Sequence, residues 1–317
     1  MEYRKLISFG KSSFVVSLPK SWVNQSKLKK GDLIYIEESG PSLVLNKKDD
    51  EKASEEKEKV ILVDGKPITQ IGREVSAAYI RNYRQITFKG KETRTKIREL
   101  QHLIQSHIAL EIMEQTGDSI IAKDFLDMEK VNLLELIRKM DVVTRTMFNE
   151  SCSIFSEDTY DSINERDKDV NKLYFLLYRA ALYNLENPMK AMKNFKLGVI
   201  DSMRIHNYAF YIEAIADEVR RTVRYARLLK ISPAKQKQIE QLLRSFQNYY
   251  LETMKAIYNN DGELALRLSE MKVSFEGSLD LLEKEVQKIE NLNQTINRMR
   301  RMITCIHNLG RVAYTLN

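Results

Sequence analysis

The feature that most constrains the fold is a helical pattern of apolar residues over residues 127–317. Large apolar side chains recur there every three or four positions, and few glycines or prolines interrupt them. In the clearest stretch they are Leu264, Leu268, Met271, Phe275, Leu279 and Leu282. Because this spacing places the side chains on one face of a helix, that face must pack against other helices. The pattern predicts a helical bundle and a mainly α, multidomain protein.

Helix-breaking sequences divide this region into six predicted helices. The breaks lie near residues 156–158, 187–188, 232–233, 259–262 and 291–293. The helices between them are predicted over residues 127–155, 158–186, 189–231, 234–258, 261–290 and 293–316. Three long helices followed by three more indicate an internal repeat. We therefore expect two tandem three-helix bundles, over residues 127–231 and 232–317.

The first 48 residues show a different pattern, in which glycine and proline separate short apolar runs. It predicts a ββαββ unit with strands over residues 6–9, 13–18, 33–37 and 42–45 and a helix over residues 20–25. A unit of this size usually needs a partner chain, a metal or disulfides, and it contains no cysteine. We therefore expect a homodimer formed through residues 1–48.

A charged stretch and an α/β segment lie between these two regions. Residues 49–59 carry many charges and no large apolar side chain, as in a linker. Residues 60–126 form a small α/β segment, in which strands over residues 59–63, 84–88 and 118–122 alternate with helices over residues 68–83 and 93–115. The segment contains no glycine-rich phosphate loop.

The charge distribution and the cysteine content narrow the class of protein. The chain has 51 lysines and arginines against 44 acidic residues, and residues 1–30 hold seven basic residues against one acidic residue. A basic terminus indicates a protein that binds nucleic acid or an anionic surface. An equally good explanation is that the lysines only keep a small domain soluble.

Cys152 and Cys305 lie far apart, which argues against a disulfide scaffold and a cysteine-rich zinc site. With no signal peptide and no membrane-length apolar run, we expect a cytoplasmic protein without membrane insertion.

One pair of acidic residues is a candidate metal site. Glu213 and Asp217 are four positions apart on a predicted helix, among mostly apolar neighbours. Two half-buried carboxylates on one face favour a cation between them. The alternative, commoner on helices, is a pair neutralised by Arg220 and Arg221 one turn further on. In the second half, Thr304 and Asn308 take the equivalent positions, which predicts a weaker site there.

Enzyme motifs are absent from the sequence. It has no GxSxG or HExxH pattern, and its four histidines are scattered. We expect a protein that is not an enzyme and has no organic cofactor. A carboxylate-bridged metalloenzyme is the last alternative, because no second acid–histidine set accompanies the acidic pair.

Residues 4–48 resemble the AbrB/MazE/SpoVT family of DNA-binding domains. The resemblance rests on residues 10–22 (GKSSFVVSLPKSW) and residues 28–32 (LKKGD). It implies a swapped-hairpin β domain, a homodimer with interleaved hairpins, and a DNA-binding surface on the first loops. The DNA-binding residues that it implies are Arg4, Lys5, Lys11, Ser12, Ser13 and Lys20.

Residues 127–317 resemble the PhoU domain, a tandem pair of three-helix bundles. The matching stretches are residues 164–174 (NERDKDVNKLY) and residues 213–217 (EAIAD), an E-x-x-x-D motif. The resemblance implies a divalent or iron-type metal ion in the first bundle, held by Asp167, Glu213 and Asp217. It also implies control of phosphate uptake. The whole arrangement is similar to archaeal PhoU-like phosphate regulators with an AbrB-type domain at the N-terminus.

These observations together predict a dimeric, DNA-binding transcriptional regulator of phosphate uptake. Its expected partners are DNA, a second copy of the chain, and phosphate transporter or signalling proteins. The alternative is an adaptor that does not bind DNA and docks on a phosphate transporter ATPase or a sensor kinase. A third hypothesis is an antitoxin, which the long helical region argues against.

Overall fold

The computed structural model describes residues 3–39, 42–47, 57–285 and 289–315. The chain divides into two compact units, Met1–Glu55 and Glu56–Asn317. The structure is mainly helical, with a small region of β-sheet at the N-terminus and a helical C-terminal part. This confirms the predicted fold class at that level. Among the described residues, no helix is both long and apolar enough to cross a bilayer.

The first unit consists of two β-hairpins with a short helix between them. Strands β1 (Ile7–Phe9) and β2 (Ser13–Val15) pair antiparallel, and helix α1 spans Lys20–Gln25. Strands β3 (Ile34–Ser39) and β4 (Ser42–Lys47) form the second hairpin. The turn between β1 and β2 contains Gly10 at a φ of 75°, a conformation that glycine adopts without steric cost. The predicted ββαββ order is confirmed, whereas the swapped hairpin remains a prediction.

The first unit has no hydrophobic core of its own among the residues whose burial is described. Eleven of its large apolar side chains are each at least 44% exposed, and none of the others whose burial is described is fully buried. They are Tyr3, Leu6, Ile7, Phe9, Phe14, Val15, Val16, Leu33, Tyr35, Ile36 and Leu43. Folded units normally bury such residues, so this unit lacks the surface that would cover them.

The second unit begins with a four-stranded sheet. In chain order its elements are β5 (Glu58–Leu62), α2 (Ile68–Ile80), β6 (Gln85–Lys89), α3 (Ile97–Gln105), β7 (Leu110–Gln115) and β8 (Ser119–Asp124). The strand order is β5-β6-β8-β7, with β5 and β6 parallel and the other pairs antiparallel. A core that includes Ile61, Val75 and Phe88 lies between the sheet and the two helices.

One helix predicted for this segment ends earlier than expected. The helix predicted over residues 93–115 ends at Gln105, and β7 follows it. Ala109, just before β7, has a left-handed conformation with a φ of 62°, and Gly117 lies in the hairpin turn between β7 and β8 rather than at a helix end.

The predicted linker, residues 49–59, falls mostly outside the described residues, and Glu58 and Lys59 already belong to β5.

Eight helices form the remainder of the described chain. They are α4 (Leu133–Ser151), α5 (Tyr160–Glu186), α6 (Pro188–Phe195), α7 (Val199–Ala226), α8 (Pro233–Tyr258), α9 (Gly262–Ser269), α10 (Met271–Glu285) and α11 (Leu292–Thr315). The helix predicted over residues 189–231 is two helices. Lys196 ends α6 in a left-handed conformation, and Asp201 accepts a hydrogen bond from the Gly198 amide to cap α7. The helix predicted over residues 261–290 is likewise divided into α9 and α10.

One hydrophobic core runs through these helices. α7 packs against α4, α5 and α11, and α11 packs in turn against α8, α9 and α10. Ile212 and Ile215 of α7 belong to the same buried cluster as Ile303 and Ile306 of α11. The core therefore continues across residue 231, the predicted boundary between the two bundles. The arrangement as tandem three-helix bundles remains a prediction.

Candidate functional site

The three predicted metal ligands contribute to one charged cluster between α5 and α7. Asp167 follows Ile163 by one turn on the buried face of α5, and Glu213 and Asp217 lie one turn apart on α7. Arg220 connects the two helices. Its Nε lies 3.0 Å from Oδ2 of Asp167, and its Nη2 lies 2.6 Å from Oδ1 of Asp217. The contact with Asp167 is an ion pair without hydrogen-bond geometry.

A second arginine also neutralises Asp217. Nη2 of Arg221 lies 2.8 Å from Oδ2 of Asp217, and its Nη1 lies 3.4 Å from Oε1 of Glu218. Glu218 also pairs with Arg298 of α11 at 3.4 Å, which extends the charged network to a third helix. For Asp217, the geometry matches the alternative in which Arg220 and Arg221 neutralise the acidic pair.

Glu213 differs from Asp167 and Asp217 in its contacts. It is half-buried, and no hydrogen bond or ion pair joins it to another described residue. Burial raises the pKa of its carboxyl to about 7, and the negative charges of Asp217 and Asp167 act in the same direction. Burial also raises the pKa of Asp167, against the opposing charge of Arg220. Glu213 is therefore a carboxyl group that exchanges its proton near neutral pH.

The described side chains do not fit a metal ion in this arrangement. Within the described part of the chain, no group of three or more histidine, cysteine or acidic side chains is placed to hold one. Guanidinium groups already pair with Asp167 and Asp217, and a metal would have to displace them. The Asn171 amide donates to the carbonyl oxygen of Asp167 at 2.9 Å, and the Thr304 hydroxyl donates to the carbonyl oxygen of Arg300 at 3.0 Å. The metal in the first bundle remains a prediction.

The six residues predicted to bind DNA are all exposed. Lys11 and Ser12 lie in the turn of the first hairpin, and Ser13 begins β2. Arg4 and Lys5 precede β1 at the opposite end of that hairpin, and Lys20 begins α1. Within one chain, Lys11, Ser12 and Ser13 therefore lie together at the hairpin turn, and Arg4 and Lys5 lie together at the opposite end of the hairpin.

A buried polar network that was not predicted from the sequence joins the sheet to the helices. Arg179 of α5 donates from Nε and Nη2 to Oδ1 of Asn82, at 3.0 and 2.6 Å, and its Nη2 also donates to Oδ2 of Asp124. Arg84 pairs with the same Asp124 oxygen, and the Arg179 guanidinium lies 4.7 Å from the centre of the Tyr79 ring. One signal was present: Arg179 lies next to Ala180 and three positions after Leu176, on the apolar face of its helix.

The chain matches no known protein family, and no curated protein sequence matches it.

Proposed function

We propose that this chain is a DNA-binding transcriptional regulator of phosphate uptake, which works as a homodimer through its first unit. The observation that carries the proposal is the surface of that unit. It combines exposed apolar residues that need a partner with exposed basic and hydroxyl residues suited to DNA.

The apolar surface supports the homodimer. Phe9, Phe14 and Leu33 are each about two-thirds exposed, and the strands of the first hairpin are only three residues long. Burial of apolar surface stabilises association by about 25 cal/mol for each Å² removed from water. A second copy of the same unit would bring complementary hairpins of matching length, so pairing would cover these residues.

The basic and hydroxyl residues support the binding of DNA. Lysine and arginine neutralise phosphates and release counterions, and serine hydroxyls donate hydrogen bonds to phosphate oxygens. Within one chain Lys11, Ser12 and Ser13 are grouped at the hairpin turn. A two-fold dimer would present this group twice, and such symmetry favours an operator with an inverted repeat.

The helical part has the sensing role in this proposal. The charged cluster around Glu213 joins α5 to α7, and α7 packs against α11 in the continuous core. A change of charge there would act on several helices together. Phosphate uptake as the regulated process rests on the PhoU resemblance alone, and no catalytic role is part of the proposal.

An adaptor is the second candidate function, and one surface favours it. Val199, Ile200, Met203 and Phe210 of α7 are each at least 44% exposed. Their spacing places them along one side of that helix. Such a surface would suit docking on a phosphate transporter ATPase or a sensor kinase, with the first unit serving only to form the dimer.

The test is DNA binding by the purified chain at two salt concentrations. The probe is the region upstream of its own gene, and a random duplex is the control. We expect binding that prefers the upstream region and that the double variant Arg4→Ala/Lys11→Ala weakens. The double variant Lys139→Ala/Arg224→Ala removes the same charge from exposed positions in the helical part, and we expect wild-type binding from it. Absence of binding at low salt would overturn the regulator and favour the adaptor.

A further inference from the structure

A cavity of about 320 Å³ lies where the end of α2 meets α5. Three cationic side chains line it: Lys57 before β5, Arg81 after α2, and Arg179 of α5. Glu186 is the single acidic residue in its lining. Small-molecule sites in proteins have volumes from about 300 Å³ upward, so the cavity is large enough for a small ligand.

The buried arginine in the lining is incompletely paired. The Arg179 side chain is fully buried, and its Nε and Nη2 donate to Asn82 and Asp124. Its Nη1 is buried and has no hydrogen-bond partner among the described residues. Because an unsatisfied donor on a buried cation is costly, this nitrogen is a position where an acceptor would stabilise the protein.

The charge around the cavity is positive. Asp124 is shared between Arg179 and Arg84, so one buried carboxylate faces two guanidinium groups. Lys57 and Arg81 are exposed, and neither forms an ion pair with another described residue. Together with these two pairs, the cationic groups in and beside the lining are Lys57, Arg81, Arg84 and Arg179, against the carboxylates of Asp124 and Glu186, and an anion would balance the excess of positive charge.

We propose that this cavity binds a small anion through a phosphate group. Arg81 and Lys57 would contact the phosphate oxygens, since guanidinium and ammonium groups form charge-assisted hydrogen bonds with them, and the buried Arg179 would add positive charge to the lining. The volume exceeds the need of one inorganic phosphate, and the rings of Tyr83 and Tyr183 also line the cavity. The ligand is therefore inorganic phosphate or a phosphate ester such as a nucleoside monophosphate. This proposal does not depend on the binding of DNA.

The experiment is calorimetric titration of the full chain with inorganic phosphate and, separately, with AMP. We expect saturable binding of at least one of them at millimolar concentration or below. Binding of both with similar affinity identifies the phosphate group as the determinant, and binding of AMP alone identifies a phosphate ester. Absence of saturable binding of either ligand at 10 mM, as an order-of-magnitude ceiling, would overturn the proposal.

Matched variants locate the site. Arg81 is exposed, so Arg81→Gln is expected to fold, which circular dichroism checks, and to weaken binding by about tenfold or more. Arg73→Gln removes an exposed arginine of α2 that lies outside this cavity, and we expect no change. Arg4→Ala/Lys11→Ala controls for phosphate bound at the basic first unit. Equal losses in Arg81→Gln and either control would overturn the proposal.

Discussion

Arg179 of α5 and Asp124 at the end of β8 form an ion pair in which neither side chain is exposed, with 2.6 Å between Nη2 and Oδ2. The pair lies where the sheet segment meets the helices, Arg84 also donates to Asp124, and Asn82 also accepts from Arg179. A buried charge pair of this kind adds little over apolar packing, but removal of one partner leaves the other charge uncompensated.

The first prediction concerns this pair. Asp124→Asn removes the carboxylate and leaves two arginines facing a neutral amide. We expect the free energy of unfolding to fall by about 3–5 kcal/mol, the usual cost of an unpaired buried charge. Urea unfolding followed by circular dichroism measures it. Glu129→Gln is the control, because its pair with Lys190 is exposed and is expected to contribute less than about 1 kcal/mol. Equal losses in both variants would contradict the prediction.

The second prediction concerns pH and Glu213. Its pKa is about 7 in the folded protein, above its ordinary value of 4.5. Between these values the unfolded chain has lost the proton that the folded protein retains. Stability contributed by this group is therefore present below pH 4.5 and is lost as the pH rises towards 7. The Glu213→Gln variant should not lose this stability. At pH 8 we expect its free energy of unfolding to exceed that of wild type by about 1–3 kcal/mol, after allowance for the partial exposure of the Glu213 side chain.

Urea unfolding at pH 5 and pH 8 tests that expectation. The difference in unfolding free energy between Glu213→Gln and wild type should be larger at pH 8. Glu165→Gln changes an exposed carboxylate on α5, and its effect should be the same at both pH values. A Glu213→Gln difference that does not depend on pH would show that this carboxyl does not titrate as described.

The third prediction concerns the dimer. Phe14 of β2 is 67% exposed, although a large aromatic residue is normally buried. If a second copy covers it, Phe14→Ser weakens association, and sedimentation velocity of the full chain should show a shift from dimer to monomer. Phe125→Ser is the matched control, because Phe125 is 60% exposed in the second unit and should leave the dimer intact. A monomeric wild-type chain at micromolar concentration would refute the prediction.

The fourth prediction concerns salt. Each phosphate contact that a basic residue makes contributes about 0.9 to the slope of log affinity against log salt concentration. Arg4→Ala/Lys11→Ala should therefore reduce that slope by about two for each chain, besides weakening binding. Fluorescence anisotropy with a labelled duplex over a salt series measures the slope. An unchanged slope would mean that Arg4 and Lys11 do not contact phosphates.

Where a periodic pattern of apolar residues extends over many positions, the sequence is sufficient to predict whether a segment is a helix or a strand. The helices of the C-terminal region and the ββαββ order of the first unit follow from local spacing and from glycine and proline positions. Element boundaries do not follow from local spacing in the same way. The sequence predicts a helix where β7 lies, because the apolar residues of β7 also fit a helical spacing, and its pairing with β8 is a contact between segments that local sequence does not show.

The candidate site, too, follows from the sequence only in part. Residue types and spacing along α7 were enough to single out Glu213 and Asp217 and to offer Arg220 and Arg221 as alternative counter-ions. Spacing along one helix could not show that Arg220 pairs with Asp167 on another helix, while Glu213 forms no ion pair within the described part of the chain. Nor could it show the network around Arg179, whose members lie as many as 97 positions apart in the chain. Periodicity is a property of neighbouring residues, whereas pairing, burial and the pKa of a buried carboxyl depend on packing between distant segments.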